Sequence, residues 1–366
     1  MQFNTEEILN HMKPTLLGFG AMRLPTDVTE CTKMFAAYLE SGGNYIDTAY
    51  VYGGSEEMLK KALTTKHSRD SYLLADKMPP WSVKSKKDCD KIFSESLKRC
   101  GVGYFDYYLV HSLSAGNEKS ALSAGIYEWA QEMKQKGLVR NVGFSFHDSI
   151  DLLDELLVNH PEMDFVMLQL NYADILRGPA GAFHEVALRH KKMLFAMEPI
   201  KGGLLASLPK EAEALLKAAR PNDSIASWAM RYAASLEGVQ SVLSGMSSLA
   251  QVEDNIRTFK NFELMTSKEY ELLEQVMLIL AKESTIQCTG CKYCLDDCPQ
   301  NIKIDNCISI YNDVKKGAAK WNQSSLYGAI PKSQQASACT SCGLCVPRCP
   351  QAIDIPAALK TVAAEF

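Results

Sequence analysis

Apolar residues fall into two alternating patterns along this chain. Short, nearly continuous apolar runs rich in β-branched and aromatic residues read as buried strands. Eight can be traced: TLLGFGAMRL (15–24), NYIDTA (44–49), SYLLADK (71–77), DYYLVH (106–111), VRNVGFSF (139–146), FVMLQLNY (165–172), LFAMEPI (194–200) and GVQSVLSG (238–245). Between them lie segments with apolar residues at helical spacing, among them SEEMLKKAL, KIFSESLKRC, AGIYEWAQEMKQKG and SIDLLDELLVNH. Eight β–α alternations over about 250 residues predict an α/β fold, a (β/α)8 TIM barrel in preference to a doubly wound sheet. SLAQVEDNIRTF and SKEYELLEQVMLILAKE read as closing helices, so the barrel is expected over residues 1–283. STIQ is a short linker. Residues 284–366 form a second, small domain with short helical pieces such as DNCISIYNDVKKG.

The strand ends carry the candidate chemistry. NYIDTAYVY, bounded by Ser41-Gly-Gly and Gly53-Gly-Ser, puts Asp47 at a strand tip and Tyr52 in the next loop. SYLLADK ends on Lys77 and DYYLVH on His111. Singly, each is as well read as an ordinary polar strand end, half of a buried ion pair, or a satisfied core histidine. Together, in successive βα units, they fall on the face where barrel enzymes do chemistry.

Composition narrows the partners. The chain has 366 residues, 46% of them hydrophobic and 22% charged, as in a soluble globular protein large enough for one big domain and a small one. A net charge of −4 and no basic run argue against a nucleic-acid surface. The opening MQFNTEEILNHMKP lacks a signal-peptide layout, and no apolar run approaches the ~20 residues of a bilayer span. A cytoplasmic protein with no membrane partner is expected, a monomer or a homodimer.

Cysteine changes the picture most. Of twelve, only Cys31, Cys89 and Cys100 precede Cys288, and these sit on predicted helices as core or surface residues. The other nine lie between Cys288 and Cys349, a distribution unlike a secreted disulfide scaffold. CTGCKYCLDDCP (288–299) and CTSCGLCVPRCP (339–350) both read C-x2-C-x2-C-x3-C-P, the run that holds [4Fe–4S] clusters, with the fourth cysteine serving the other cluster. On that pattern Cys288, Cys291, Cys294 and Cys349 hold one cluster, and Cys339, Cys342, Cys345 and Cys298 the second. A zinc ribbon is the alternative, but it leaves the third and fourth cysteines of each run unexplained. The 40 residues between Cys298 and Cys339 suggest helices between the motifs, a mostly helical ferredoxin-like iron–sulfur domain. Cys307 lies outside both motifs and is expected to pack in a helix.

In order and spacing, GFGAMRLP, NYIDTAYVYGGSEEMLKKAL, ADK, DYYLVH, NVGFSF, LQLNY and GMSSLAQVEDNI resemble the successive motifs of the aldo-keto reductases, over about residues 15–265. The cysteine-rich tail resembles the branch of that family with a C-terminal ferredoxin-like domain. The resemblance implies a catalytic tetrad, Asp47, Tyr52, Lys77 and His111. Hydride addition to a carbonyl builds charge on oxygen, so an acid must protonate it. A tyrosine is a weak acid near neutrality, and a Lys77 ammonium would favour its phenolate and lower its pKa. Asp47 would hold Lys77 charged, and His111 would orient the substrate oxygen.

The same resemblance implies a nicotinamide cofactor, NADP or NAD. No G-x-G-x-x-G is present, since Gly18-Phe-Gly20 lacks its third glycine, and a Rossmann unit is not needed. Gly20, Met22, Arg23, Met197 and Pro199 are implied as cofactor contacts. Ser145, Gln169 and Asn171 would hold the carboxamide. Lys201, Gly202, Gly203 and Leu204 would line the pyrophosphate, and Gly245, Ser247, Ser248, Gln251 and Asn255 the adenosine end. Three positions depart from the pattern. Phe146 stands where an asparagine often follows the serine, Met197 where an aromatic ring often stacks on the nicotinamide, and uncharged Gly245 and Gln251 where basic residues often grip a 2′-phosphate. Glu198 reads as a polar residue of the barrel mouth, and Trp81, after Lys77, as an apolar wall of the substrate pocket.

The expected function is an oxidoreductase: nicotinamide-dependent carbonyl reduction or alcohol oxidation on a small molecule, coupled through the clusters to single-electron transfer. A redox protein would be its partner. The competing reading is an iron–sulfur electron carrier or redox sensor whose barrel has little turnover.

Overall fold

In the computed structural model the described residues are 12–178, 180–260, 262–281, 285–315 and 319–366. They fall into two compact units. One takes in the chain to Pro199 together with Ser227–Thr266; the other comprises Ile200–Ala226 and Ser267–Phe366. The domain boundary expected at 283/284 falls within residues 282–284, outside the described residues.

The first unit is built on eight strands: β1 (Leu17–Gly20), β2 (Tyr45–Asp47), β3 (Leu73–Met78), β4 (Phe105–Leu113), β5 (Val139–Phe146), β6 (Phe165–Gln169), β7 (Met193–Met197) and β8 (Val239–Ser244). Every neighbouring pair is parallel, and β8 closes on β1. All eight expected strands form, several of them shorter than the apolar run that announced them. The first stops at Gly20 because Ala21–Arg23 turns into a 3-10 helix. The sixth stops at Gln169 because Asn171 caps the helix Tyr172–Arg177, its side chain accepting from the Asp174 amide.

Alternation decides which side chains enter the barrel. Tyr45, Tyr107, Phe165 and Phe195 meet in the interior, with ring centroids 4.9–5.4 Å apart, and Leu73, Ala75 and Leu109 pack with them. Two residues on from Tyr45 is Asp47; two on from Ala75 is Lys77; two on from Leu109 is His111. The aromatic layer therefore becomes polar at the carboxyl ends of β2, β3 and β4. Helices fill the outside, several with legible caps: Asp27 accepts from the Thr29 amide at 2.7 Å, and Ser149 caps Ile150–Asn159.

The second unit has its own core, in which Ile302, Ile304, Ile308, Tyr311, Leu359 and Val362 pack beside cysteines. Helices Ile304–Lys315, Lys320–Gly328 and Ile355–Glu365 surround it, with Glu365 accepting from Lys315 and Lys320 at 2.7 and 2.6 Å. Cys307 is buried in the first of these helices, as its position outside both motifs suggested. Among the described residues no helix is long and apolar enough to cross a membrane.

Candidate active site and cysteine cradles

Three residues toward the ends of β2, β3 and β4 and a loop tyrosine, Tyr52, converge in the first unit. Lys77 Nζ lies 2.5 Å from Asp47 Oδ1, 2.7 Å from the Thr48 carbonyl and 3.4 Å from Tyr52 Oη. Lys77 and Asp47 are 1% and 4% exposed, so this ion pair is withdrawn from water. Burial raises the Asp47 carboxyl above the usual carboxylate range, with the Lys77 ammonium opposing the shift. The His111 ring stands edge-on to Tyr52, centroids 5.7 Å apart. Burial, and then the Lys77 charge, push the His111 pKa well below its ordinary value, so the ring is neutral at pH 7. His111 sits where β4 slips register against β5, between Val110 and Leu113. The bulge re-aims the strand end, with Ser112 at φ 53° and its amide donating to Ser145 Oγ at 2.7 Å. Trp81, on the 3-10 turn Pro80–Ser82, has its ring 5.5 Å from His111 and is 36% exposed.

The residues implied for the cofactor have partners of their own. Gln169 and Asn171 both donate side-chain amides to Asp174 Oδ2, at 2.5 and 2.7 Å, and Asn171 also donates to the Glu198 carbonyl. Asp174 thus organises that corner, and sequence reading passed over it. The available signal was an acid three residues after an Asn at a helix start. Ser247, Ser248 and Gln251 gather at the start of the helix Leu249–Lys260, where the Ser247 amide donates to Gln251 Oε1 at 2.8 Å and the Gln251 amide to Ser248 Oγ. Asn255, buried, donates to Ser244 Oγ. Gly20 lies against the Ser244 carbonyl, and the Arg23 guanidinium comes within 3.8 Å of where a Cβ on Gly245 would stand. A cation therefore reaches Gly245 from the neighbouring strand end, where the local sequence offered none. Met22 and Met197 are half-buried and Pro199 is buried. Lys201–Leu204 belong to the second unit, and the Lys201 ammonium, 5% exposed, donates to Gln351 Oε1 at 3.0 Å.

Within the second unit the cysteines meet across the two motifs. Cys288, Cys291, Cys294 and Cys349 line one hollow. Cys298, Cys339, Cys342 and Cys345 line another. None of the eight is in a disulfide. The motifs also repeat in backbone: Gly290 and Ser341 both have positive φ, 65° and 56°. That turn points the Gly290 amide at Cys288 Sγ and the Ser341 amide at Cys339 Sγ, each at 3.4 Å. Four thiols around a hollow, with amide donors aimed at sulfur, fit a cubane cluster.

An eight-stranded parallel barrel with this tetrad at its strand ends, joined to a cysteine-cradle module, defines an oxidoreductase with an iron–sulfur domain. Residues 16–277 match the model of the Aldo/keto reductase family, and residues 287–353 that of the 4Fe-4S dicluster domain. The chain belongs to the aldo/keto reductase family and carries a C-terminal iron–sulfur domain. It is similar to L-galactose dehydrogenase of Arabidopsis thaliana, 26% identical over 303 residues that cover 74% of this chain and 91% of the relative. The oxidoreductase YqkF of Bacillus subtilis is 26% identical over 289 residues, covering 70% and 91%. Among solved structures, the holo form of the aldo-keto reductase AKR11C1 from Bacillus halodurans is similar at 26% identity and a TM-score of 0.60, covering 71% of this chain and 91% of that one.

Proposed function

We propose that this protein reduces the carbonyl of a small molecule to an alcohol, or runs the reverse reaction, with a nicotinamide cofactor. The convergence of Tyr52, Lys77, Asp47 and His111 supports this reading most directly. The nicotinamide, when bound, exchanges a hydride with the carbonyl carbon. Tyr52 Oη gives the proton to the carbonyl oxygen and takes it back in the oxidation direction. The Lys77 ammonium beside it favours the phenolate left behind, and Asp47 keeps that ammonium charged in a site withdrawn from water. His111, neutral, donates its one N–H to the substrate oxygen and aligns it, a preorganised dipole that needs no rearrangement during the reaction. Trp81 forms an apolar wall beside it. Ser145, Gln169 and Asn171 hold the carboxamide end, with Asp174 fixing the two amide side chains. Arg23 beside Gly245 offers a cation to a phosphate of the cofactor, which supports NADP as well as NAD.

The two cysteine sets would each hold a [4Fe–4S] cluster, Cys288, Cys291, Cys294 and Cys349 the one and Cys298, Cys339, Cys342 and Cys345 the other, and the clusters would supply single-electron transfer with a redox partner. Tyr52→Phe tests the enzyme reading against a pure electron carrier. Carbonyl reduction should fall by about a hundredfold or more, while cofactor binding followed by fluorescence quenching stays. A Tyr52→Phe protein that still reduces carbonyls at the parent rate would remove the tyrosine from the chemistry.

A further inference from the structure

The two cysteine hollows differ in the charge built around them. The loop Lys201-Gly202-Gly203 runs through three consecutive left-handed residues, φ 47°, 63° and 101°. Two glycines make this cheap; Lys201 does not, so the surroundings must hold it there. Gly202 lies so close to Thr289, in the first cysteine motif, that a Cβ would stand 2.5 Å from its Cβ and carbonyl oxygen. The loop is pressed onto that motif within the second unit. From it Lys201, 5% exposed, donates to Gln351 Oε1 at 3.0 Å. Gln351 lines the same hollow as Cys288, Cys291, Cys294 and Cys349. The charges that line that hollow itself, Lys292 and Asp305, are opposite in sign, and Lys292 is exposed; Lys201 stands behind Gln351, outside the lining. Among the described residues the hollow of Cys298, Cys339, Cys342 and Cys345 has no charged side chain in its lining, and Cys342 is exposed.

We propose that Lys201 sets the two clusters apart, its buried ammonium holding the cluster of Cys288, Cys291, Cys294 and Cys349 at a higher reduction potential than the other. A reduced cluster carries one more negative charge than an oxidised one. A fixed positive charge in a low-dielectric setting stabilises the reduced form more. Gln351, which accepts from the ammonium and lines the hollow, stands between the two. The inference rests on the reading that both cysteine sets hold clusters, and iron and sulfide analysis of the full chain tests that reading separately.

The experiment is an anaerobic potentiometric titration of the intact protein, followed by electron paramagnetic resonance, on Lys201→Met, Lys201→Arg and Leu344→Lys. Leu344 is 55% exposed beside Cys345, so Leu344→Lys raises the second cluster and labels its signal. Lys201→Met should lower the potential of the other signal, with its oxidised-to-reduced ratio at a given solution potential rising about tenfold, which is about 59 mV for one electron. Lys201→Arg should leave it in place. The proposal is overturned if Lys201→Met leaves both potentials unchanged, moves both equally, or moves the signal that Leu344→Lys marks. An equal shift in Lys201→Arg would overturn it too, since charge would not then be the cause. Should Lys201→Met not load iron, Lys201→Gln keeps an N–H donor for Gln351 without the charge and carries the same expectation.

Discussion

The alternation that turns Lys77 into the barrel turns Asp76 outward, and there it meets Glu56 and Cys100. The three side chains lie within 4.8 Å of one another and are all buried. Glu56 is paired with Arg99 at 3.1 Å, yet its Oε1 has no donor, while Asp76 accepts from the Lys77 amide at 2.7 Å. Burial, and then Glu56, raise the Asp76 pKa well above the usual range. A raised carboxyl contributes stability that is complete below its unfolded pKa of ~3.9 and is lost as pH rises through the folded value. His147 runs the other way: burial pushes it down to about 4, so its contribution is lost as pH falls below the unfolded value of ~6.5. Melting temperatures at about pH 5 and about pH 8 separate the two. Asp76→Asn should raise the pH 8 value relative to that at pH 5. His147→Gln should instead improve the pH 5 value relative to that at pH 8. An unchanged difference in either variant would mean that group does not titrate differently on folding.

At the scale of elements, strand ends and helix ends carry most of the information. All eight apolar runs became strands, because a strand covered on both faces needs little beyond continuous apolar character. Their exact ends were set by neighbours. The β4 bulge that aims His111 is invisible in DYYLVH, since it arises from pairing with β5. The helix Ala180–Arg189 ends in a Schellman arrangement, with the Lys192 amide donating to the Ala187 carbonyl and the Lys191 amide to that of Leu188. Lys191 occupies the left-handed position at φ 54°, where glycine is favoured. Lys191 is exposed, so Lys191→Gly removes strain without touching the core. It should stabilise the protein by about 1 kcal/mol, read as a higher urea midpoint at constant slope. A lower midpoint would mean that glycine's extra freedom in the unfolded chain outweighs the relieved strain.

At the scale of the whole molecule, the cysteines of the two motifs are also part of a hydrophobic core. Cys294 and Cys345 belong to the core of the second unit, and burial pushes both thiols up. Thiols that must be thiolates to bind iron, in a core this small, tie folding to cluster assembly. Removing iron anaerobically with a chelator should therefore open residues 285–366 to protease while the barrel strands keep their amide protection. Equal protease resistance with and without iron would show that the helices hold this unit unaided.

The sequence by itself determined the barrel, its strand count, the tetrad and the two cysteine runs. These rest on local signals, periods of two and 3.6 residues and short motifs with fixed spacing. Tertiary structure decided what depends on distant segments meeting. The closure of β8 on β1 carries Arg23 to Gly245, a site that lacks a charge in its own segment. Packing around Asp174 gathers Gln169 and Asn171, and the outward face of β3 meets Glu56 and Cys100. A 150-residue separation joins Lys201 to Gln351. No local pattern encodes these pairs, because their free energy comes from burial and charge arranged only after the chain has closed.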